Sequence, residues 1–281
     1  MGTSGSYGGS GKSSWKKARE AARNALGQGG GGSSAPGGPL PPLTERPDFF
    51  ELLRQIGNGL RADDPELRKR GGLPKIPLSQ VLAAGATVVG LPFLGTVAQG
   101  TTRERPVIAG ARRTGAALGG GIAVRSGDAA ALEQLGLDLT DLESLSPRDQ
   151  AQRIVDRVFG ATSDENEQAF REASTIVLLE LLEHPDETPD YQLIICDAAS
   201  EVVYRRALVE FHDQLFDGKV SNAEVRDLER QLREYIRDLM RAHPDMNPSD
   251  RLLTPEECSQ AVAEVTAAAV DLLRKISGGE V

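Results

Sequence analysis

From Asp128 onward the chain is punctuated as a series of helices, and this constrains its fold more than any other feature. SPRDQAQRIVDRVFG offers Ser146 as N-cap, Pro147 at the first helical position and Gly160 as a stop. A second helix from Ser163 places Phe170, Ile176, Val177, Leu179 and Leu181 on a broad apolar face. A long, strongly apolar one runs from Pro189 to Gly218. The next opens with a capping box, Ser221 with Glu224, and repeats Val225, Leu228, Leu232, Ile236 and Leu239 at three- and four-residue steps. The last uses Thr254, Pro255 and Glu257 in the same way and ends at Gly278–Gly279. No stretch alternates long enough to be a strand. The spacing predicts a mostly α protein whose residues 128–281 form a bundle of about five helices.

The first half is written differently. Residues 1–13 are mostly Gly and Ser with one Tyr, and nothing there can form a core. Ser14 then suits an N-cap for WKKAREAARNAL, a helix too short to be stable alone. Residues 27–43 are a linker by composition, which makes 1–46 a flexible Gly/Ser/Pro-rich arm carrying one basic helix. DFFELLRQIGNGL follows, with Phe49, Leu52, Leu53 and Ile56 on one face. VIAGARRTGAALGGGIAVRSG suits a closely packed helix or a loop equally, and it completes a basic, Gly/Ala-rich helical segment over 47–127.

Charge divides the chain at the same place. Residues 1–127 carry 17 Lys/Arg against 8 Asp/Glu, about +9, and residues 128–281 carry 15 against 33, about −18; together these give the chain's −9. The basic half could meet phosphate, nucleic acid or an acidic partner, with Lys16, Lys17, Arg19 and Arg23 as candidate contacts, or it could lie on its own acidic half.

Residues 76–102 contain no charge and are long enough to span a bilayer. Gly85, Gly90, Pro92 and Gly95, with Gln80 and Gln99, favour a buried or partner-covered hairpin over a span. Insertion into a membrane as an effector stays as the alternative.

Catalytic signatures are scarce. GSGKSS suggests a phosphate loop, but Ser6 stands where the pattern needs Gly, and only ten residues precede Gly11, too few for the supporting strand. MGTSGS matches an N-myristoylation signal, whose transferase is of eukaryotic type, whereas the Ala, Arg, Asp and Gly usage is more bacterial. Cys196 and Cys258 are far apart and make no CxxC, as in reduced core residues of a cytoplasmic protein. His184 and His243 end helices, where a cation suits the dipole, and His212 suits a half-exposed helical position. No HExxH or GxSxG occurs, and no metal site, bound cofactor or enzymatic activity is expected. Removal of Met1 would leave Gly2 with an unhindered amine on an extended tail, although by composition alone an ordinary disordered terminus explains such a tail.

The opening Met1–Gly9, GARRTGAAL from Gly110, and the helix order from LEQLGLDLTDLESLSP to DLERQLREYIRDLM together resemble the QatB family, accessory components of bacterial four-gene Qat anti-phage systems. Two features depart from that pattern: the basic helix directly after the tail, and the hydrophobicity of 76–102. The resemblance implies three neighbours: an ATPase, an enzyme similar to 7-cyano-7-deazaguanine synthase, and a TatD-like nuclease. It further implies a non-enzymatic scaffold with Gly2 as acceptor for a covalent deazapurine adduct. Thr3, Ser4, Ser6, Tyr7, Gly8 and Gly9 are then the positions the modifying enzyme recognises, and the helical bundle is the docking body.

Overall fold

The computed structural model describes residues 13–25, 47–70, 107–161, 164–184, 189–215, 222–241 and 253–276. Among these every regular element is a helix. In chain order they are α1 (Ser13–Ala25), α2 (Pro47–Asp63), α3 (Pro65–Lys69), α4 (Val107–Ser126), α5 (Ala129–Gln134) and α6 (Leu139–Glu143). There follow α7 (Pro147–Phe159), α8 (Glu165–Glu183), α9 (Tyr191–Leu215), α10 (Asn222–Arg241) and α11 (Pro255–Lys275). The five long helices expected after residue 128 are α7 to α11, with two short ones ahead of them.

The Gly/Ala/Arg segment, open between helix and loop in the sequence, is the helix at the centre of the fold. In α4 every residue from Thr114 to Ala123 is buried, as are Val107, Ile108, Gly110 and Ala111. A helix covered on all sides needs no amphipathic stripe, so its sequence shows no helical period. Its glycines permit close approach rather than unusual backbone. A Cβ on Gly115 would collide with the Cys258 carbonyl and lie 2.7 Å from the Cα of Ser259, and one on Gly119 would run into Pro255. The α4 axis therefore lies against the N-terminal half of α11, and these two helices share the most extensive interface. Each helical glycine costs about 1 kcal/mol relative to alanine; the contact this allows along α11 offsets that cost.

Asp64 fixes where α4 begins. It is fully buried, and its Oδ1 accepts the amides of Glu66 (2.8 Å) and Leu67 (3.2 Å), capping α3. Its Oδ2 accepts the amide of Ile108 at 2.9 Å, so one carboxylate serves two helix N-termini.

Two of the capping signals expected in the second half are realised. Ser146 caps α7, with Pro147 in its first turn and Gly160 at φ 69° after its end. Thr254 and Glu257 form a complete capping box on α11. The Ser221–Glu224 box lies outside the described side chains. On α8 the cap is Asp164, whose carboxylate accepts the Glu167 amide. The buried stripe of α8 also differs from the expected face. Phe170, Val177 and Leu181 are buried, but Ile176 and Leu179 are only half-buried while Leu178 and Leu182 are covered. A contiguous run of apolar residues leaves the phase of the helix undetermined, and packing on α4 and α9 sets it. On α10, Val225, Leu228, Leu232 and Ile236 are buried as the spacing predicts, with Met240 completing the stripe beside a half-buried Leu239. Phe49, Leu52, Leu53 and Ile56 of α2 are likewise all buried.

Candidate functional site

The tail residues Gly2, Thr3, Ser4, Ser6, Tyr7, Gly8 and Gly9 lie outside the described residues, as does the uncharged stretch 76–102. The structure does describe the point from which the tail departs, the first turn of α1. There Trp15 is fully buried, together with Ala18, Ala22 and Ala25 on the same face. This stripe packs mainly on α2 and also on α9.

Trp15 is held by polar and aromatic contacts as well as burial. Its indole Nε1 donates to Asp63 Oδ2 at 2.7 Å. Arg206 from α9 donates to the same oxygen at 3.1 Å and lies over the indole ring, 5.4 Å from its centroid. Phe211 meets that ring edge-on at 5.9 Å. Gly59 of α2 supplies the floor, where a Cβ would come 2.7 Å from the indole. Arg206 is only 4% exposed in its side chain and forms a second ion pair, Nη1 to Glu210 Oε1 at 2.9 Å. Glu210 in turn lies 3.5 Å from Arg19 of α1. A buried cation between two carboxylates is compensated, as burial of charge requires. The seat thus joins α1, α2 and α9 through aromatic contact, hydrogen bonding and alternating charge.

The four basic residues of α1 separate by face. Arg19 turns toward Glu210, whereas Lys16, Lys17 and Arg23 are exposed. Elsewhere the basic half also meets the acidic half of its own chain. Arg61 pairs with Asp271 at 3.0 Å, Arg70 makes a bidentate pair with Glu264 at 2.6 and 2.7 Å, and Arg113 pairs with the buried Glu167. Periodicity within one helix carries no trace of such pairings, because the partners are up to 210 residues apart.

Two open clefts lie on the bundle. One, of about 410 Å³, runs between α7, α8 and α9; its Arg171 is tied to Asp156 and the Gly160 carbonyl, and its Arg205 to Glu172. The other, of about 310 Å³, is lined by Arg125, His184, Asp190, Asp197 and Arg241. In it Asp197 takes Arg241 in a bidentate pair, and Arg125 donates to the Leu181 carbonyl at 2.8 Å. Cys196 and Cys258 are buried and unbridged. Burial, aided by the charge of Asp197, pushes the Cys196 thiol up to about 12, and burial pushes Cys258 up as well. Among the described residues no group of His, Cys, Asp or Glu has the arrangement of a metal site. No described helix is long and apolar enough to cross a membrane. His212 falls in α9 and His243 outside the described residues, while His184 is exposed after α8.

The family model for QatB, the Qat anti-phage system associated protein, matches residues 100–273. The chain belongs to the QatB family. It is therefore an accessory protein of an anti-phage defence system. The QatB match takes in α4 through nearly all of α11, which is the glycine-rich central helix and everything packed around it. The tail, α1 and α2 precede the matched residues. No curated protein and no solved structure matches.

Proposed function

We propose that this QatB-family chain is a non-enzymatic acceptor and scaffold, and that the α-amine of Gly2 is the group its system modifies. The partner is the 7-cyano-7-deazaguanine synthase-like enzyme implied by the resemblance. That enzyme activates a deazapurine carboxylate with ATP, releasing pyrophosphate. Neutral Gly2 amine attacks the acyl-adenylate, an amide C–N bond forms, AMP leaves, and the amine gives up a proton. An α-amine titrates at about 7.7–8.0, so a useful fraction is neutral in the cytoplasm. Thr3, Ser4, Ser6, Tyr7, Gly8 and Gly9 are the recognition positions, all but Tyr7 small enough for an extended segment to enter a buried site.

The observation that carries this reading is the seat of Trp15. A nucleophile reacts faster when it is delivered to one place, and the tail springs from a helix fixed at its first turn by buried contacts. Eleven residue steps separate Gly2 from Ser13, a reach of at most about 36–40 Å. The acceptor is therefore confined to the neighbourhood of α1. The bundle serves as docking body for this enzyme and for the ATPase and TatD-like nuclease. Nucleic-acid binding by the basic half is less well supported, because Arg19, Arg61, Arg70 and Arg113 face carboxylates of the same chain.

The test is the mass of the intact protein and of its N-terminal peptide, with and without the neighbouring proteins. An adduct on Gly2 that needs the synthase-like neighbour, and is lost in Gly2→Pro, is the expected result. A bare Gly2 in both samples overturns the proposal and moves attention to residues 76–102.

A further inference from the structure

We infer that Lys16 and Lys17 form the docking surface for the modifying enzyme, whose site entrance carries an acidic rim. This rests on the reading of Gly2 as acceptor. If residues 2–9 enter the enzyme, the four residue steps from Gly9 to Ser13 span at most about 13–14 Å. Ser13 begins α1, and the buried Trp15 holds that turn against α2 and α9. The entrance of the partner's site is thus forced to within about 13–14 Å of the first turn of α1. Among the described side chains at that end of α1, Lys16 and Lys17 are exposed.

A second observation concerns the helix itself. The N-terminal end of a helix carries partial positive charge and favours acidic side chains. The first turn of α1 has no acidic residue; it ends in Lys16, and Lys17 follows directly. Among the described residues neither takes part in an ion pair. The helix gains nothing from them there. Arg23, in the last turn, is favourable to the dipole, and Arg19 is directed to Glu210, so both have reasons within the fold. Lysines placed against the preference of their own helix, at the one spot a short tether forces against a partner, have their reason in that partner.

The partner is a protein surface rich in Asp and Glu around a nucleobase-handling site. Exposed charges of this kind act mainly on the rate of encounter and weaken with salt. The experiment follows adduct formation on the full chain by mass spectrometry at limiting synthase-like enzyme, in low and high salt. It compares the natural sequence with the double variant Lys16→Glu/Lys17→Glu and with Arg23→Glu. Arg23 lies about 9–10 Å further along the same helix and serves as a charge control. Emission from Trp15, the single tryptophan, reports whether α1 stays seated. Acidic residues suit that end of the helix, so the double variant is expected to keep native emission.

The expected result is a loss of about tenfold or more in rate for the double variant at low salt, shrinking at high salt. Arg23→Glu should stay within about twofold. Equal rates for all three chains overturn the inference while leaving Gly2 as the acceptor. An equal loss in Arg23→Glu also overturns it, by showing general charge attraction. Absence of any adduct on the natural sequence overturns the acceptor reading itself, and this inference with it.

Discussion

Asp64 accepts the amide of Ile108 at 2.9 Å across 44 residues of sequence, while its other oxygen caps α3. The carboxylate thereby ties the end of the basic half's first helical layer to the start of the central helix. An amide cannot replace it, since one of its two ends donates rather than accepts. Asp64→Asn must set an NH₂ group against a backbone amide on one side or the other. We expect a loss of about 1–3 kcal/mol, read as a lower urea midpoint with an unchanged slope. A midpoint equal to that of the natural chain would mean the two helix starts are set by packing alone.

Trp15 is the corresponding fixture for α1. Trp15→Ala removes a fully buried indole, its hydrogen bond to Asp63 and its stacking on Arg206. Buried aromatic truncation costs about 3–5 kcal/mol, more than a thirteen-residue helix can supply by itself in water. Arg206 keeps Asp63 and Glu210 as partners, so the body should stay folded while α1 leaves it. Trypsin should then cut quickly after Arg19 and Arg23, while the sites within helices α2 to α11 are cut no faster than in the natural chain. Survival of the α1 peptide bonds at the natural rate would show that its alanine face suffices.

The two halves of the chain differ in how much their sequence reveals, for physical reasons. Helices that are solvated on one side show both period and caps, so α7, α10 and α11 are readable from Ser146, the Val225–Leu228–Leu232–Ile236 stripe and Thr254. The central helix is covered all round, and its glycines stand where α11 and Phe170 come close. Composition cannot separate that from a loop. The face of α8 is ambiguous because Ile176 through Leu182 is almost continuously apolar. In α1 the buried stripe is alanine apart from Trp15, and alanine carries little hydrophobic signal. Nothing local in Asp63, Arg206 or Glu210 announces that they meet around that tryptophan. The seat of the candidate site is therefore visible only in three dimensions, although Lys16, Lys17, Arg19 and Arg23 stand out as basic in the sequence.

Close approach along α4 makes a sharp test at Gly115. Alanine has the better helix propensity, by about 1 kcal/mol. A methyl group here meets the Cys258 carbonyl and the Ser259 Cα, which are backbone atoms of a buried helix and cannot swing aside. Gly115→Ala should therefore destabilise, by about 1–3 kcal/mol as for other overpacked cores. Thermal unfolding followed by circular dichroism measures it. A raised melting temperature would show that α11 can move away from α4 at no cost.

The thiols give the fold a pH dependence whose sign can be stated. Burial and the Asp197 charge push Cys196 from its ordinary value of 9.0 to about 12. Between those values the native chain keeps a proton that the unfolded chain releases. Its contribution to stability is fully present below pH 9 and is lost as pH rises toward 12. Cys258, also pushed up by burial, acts in the same direction. Neither thiol should react with iodoacetamide at pH 8 in the native protein, and both should react once it is unfolded in guanidinium. Cys196→Ala should lower stability at neutral pH by leaving a small cavity, yet flatten the decline above pH 9. Native labelling of Cys196 at pH 8 at the rate of an exposed thiol would show that the layer between α9 and α10 opens readily, and would remove the basis for this limb.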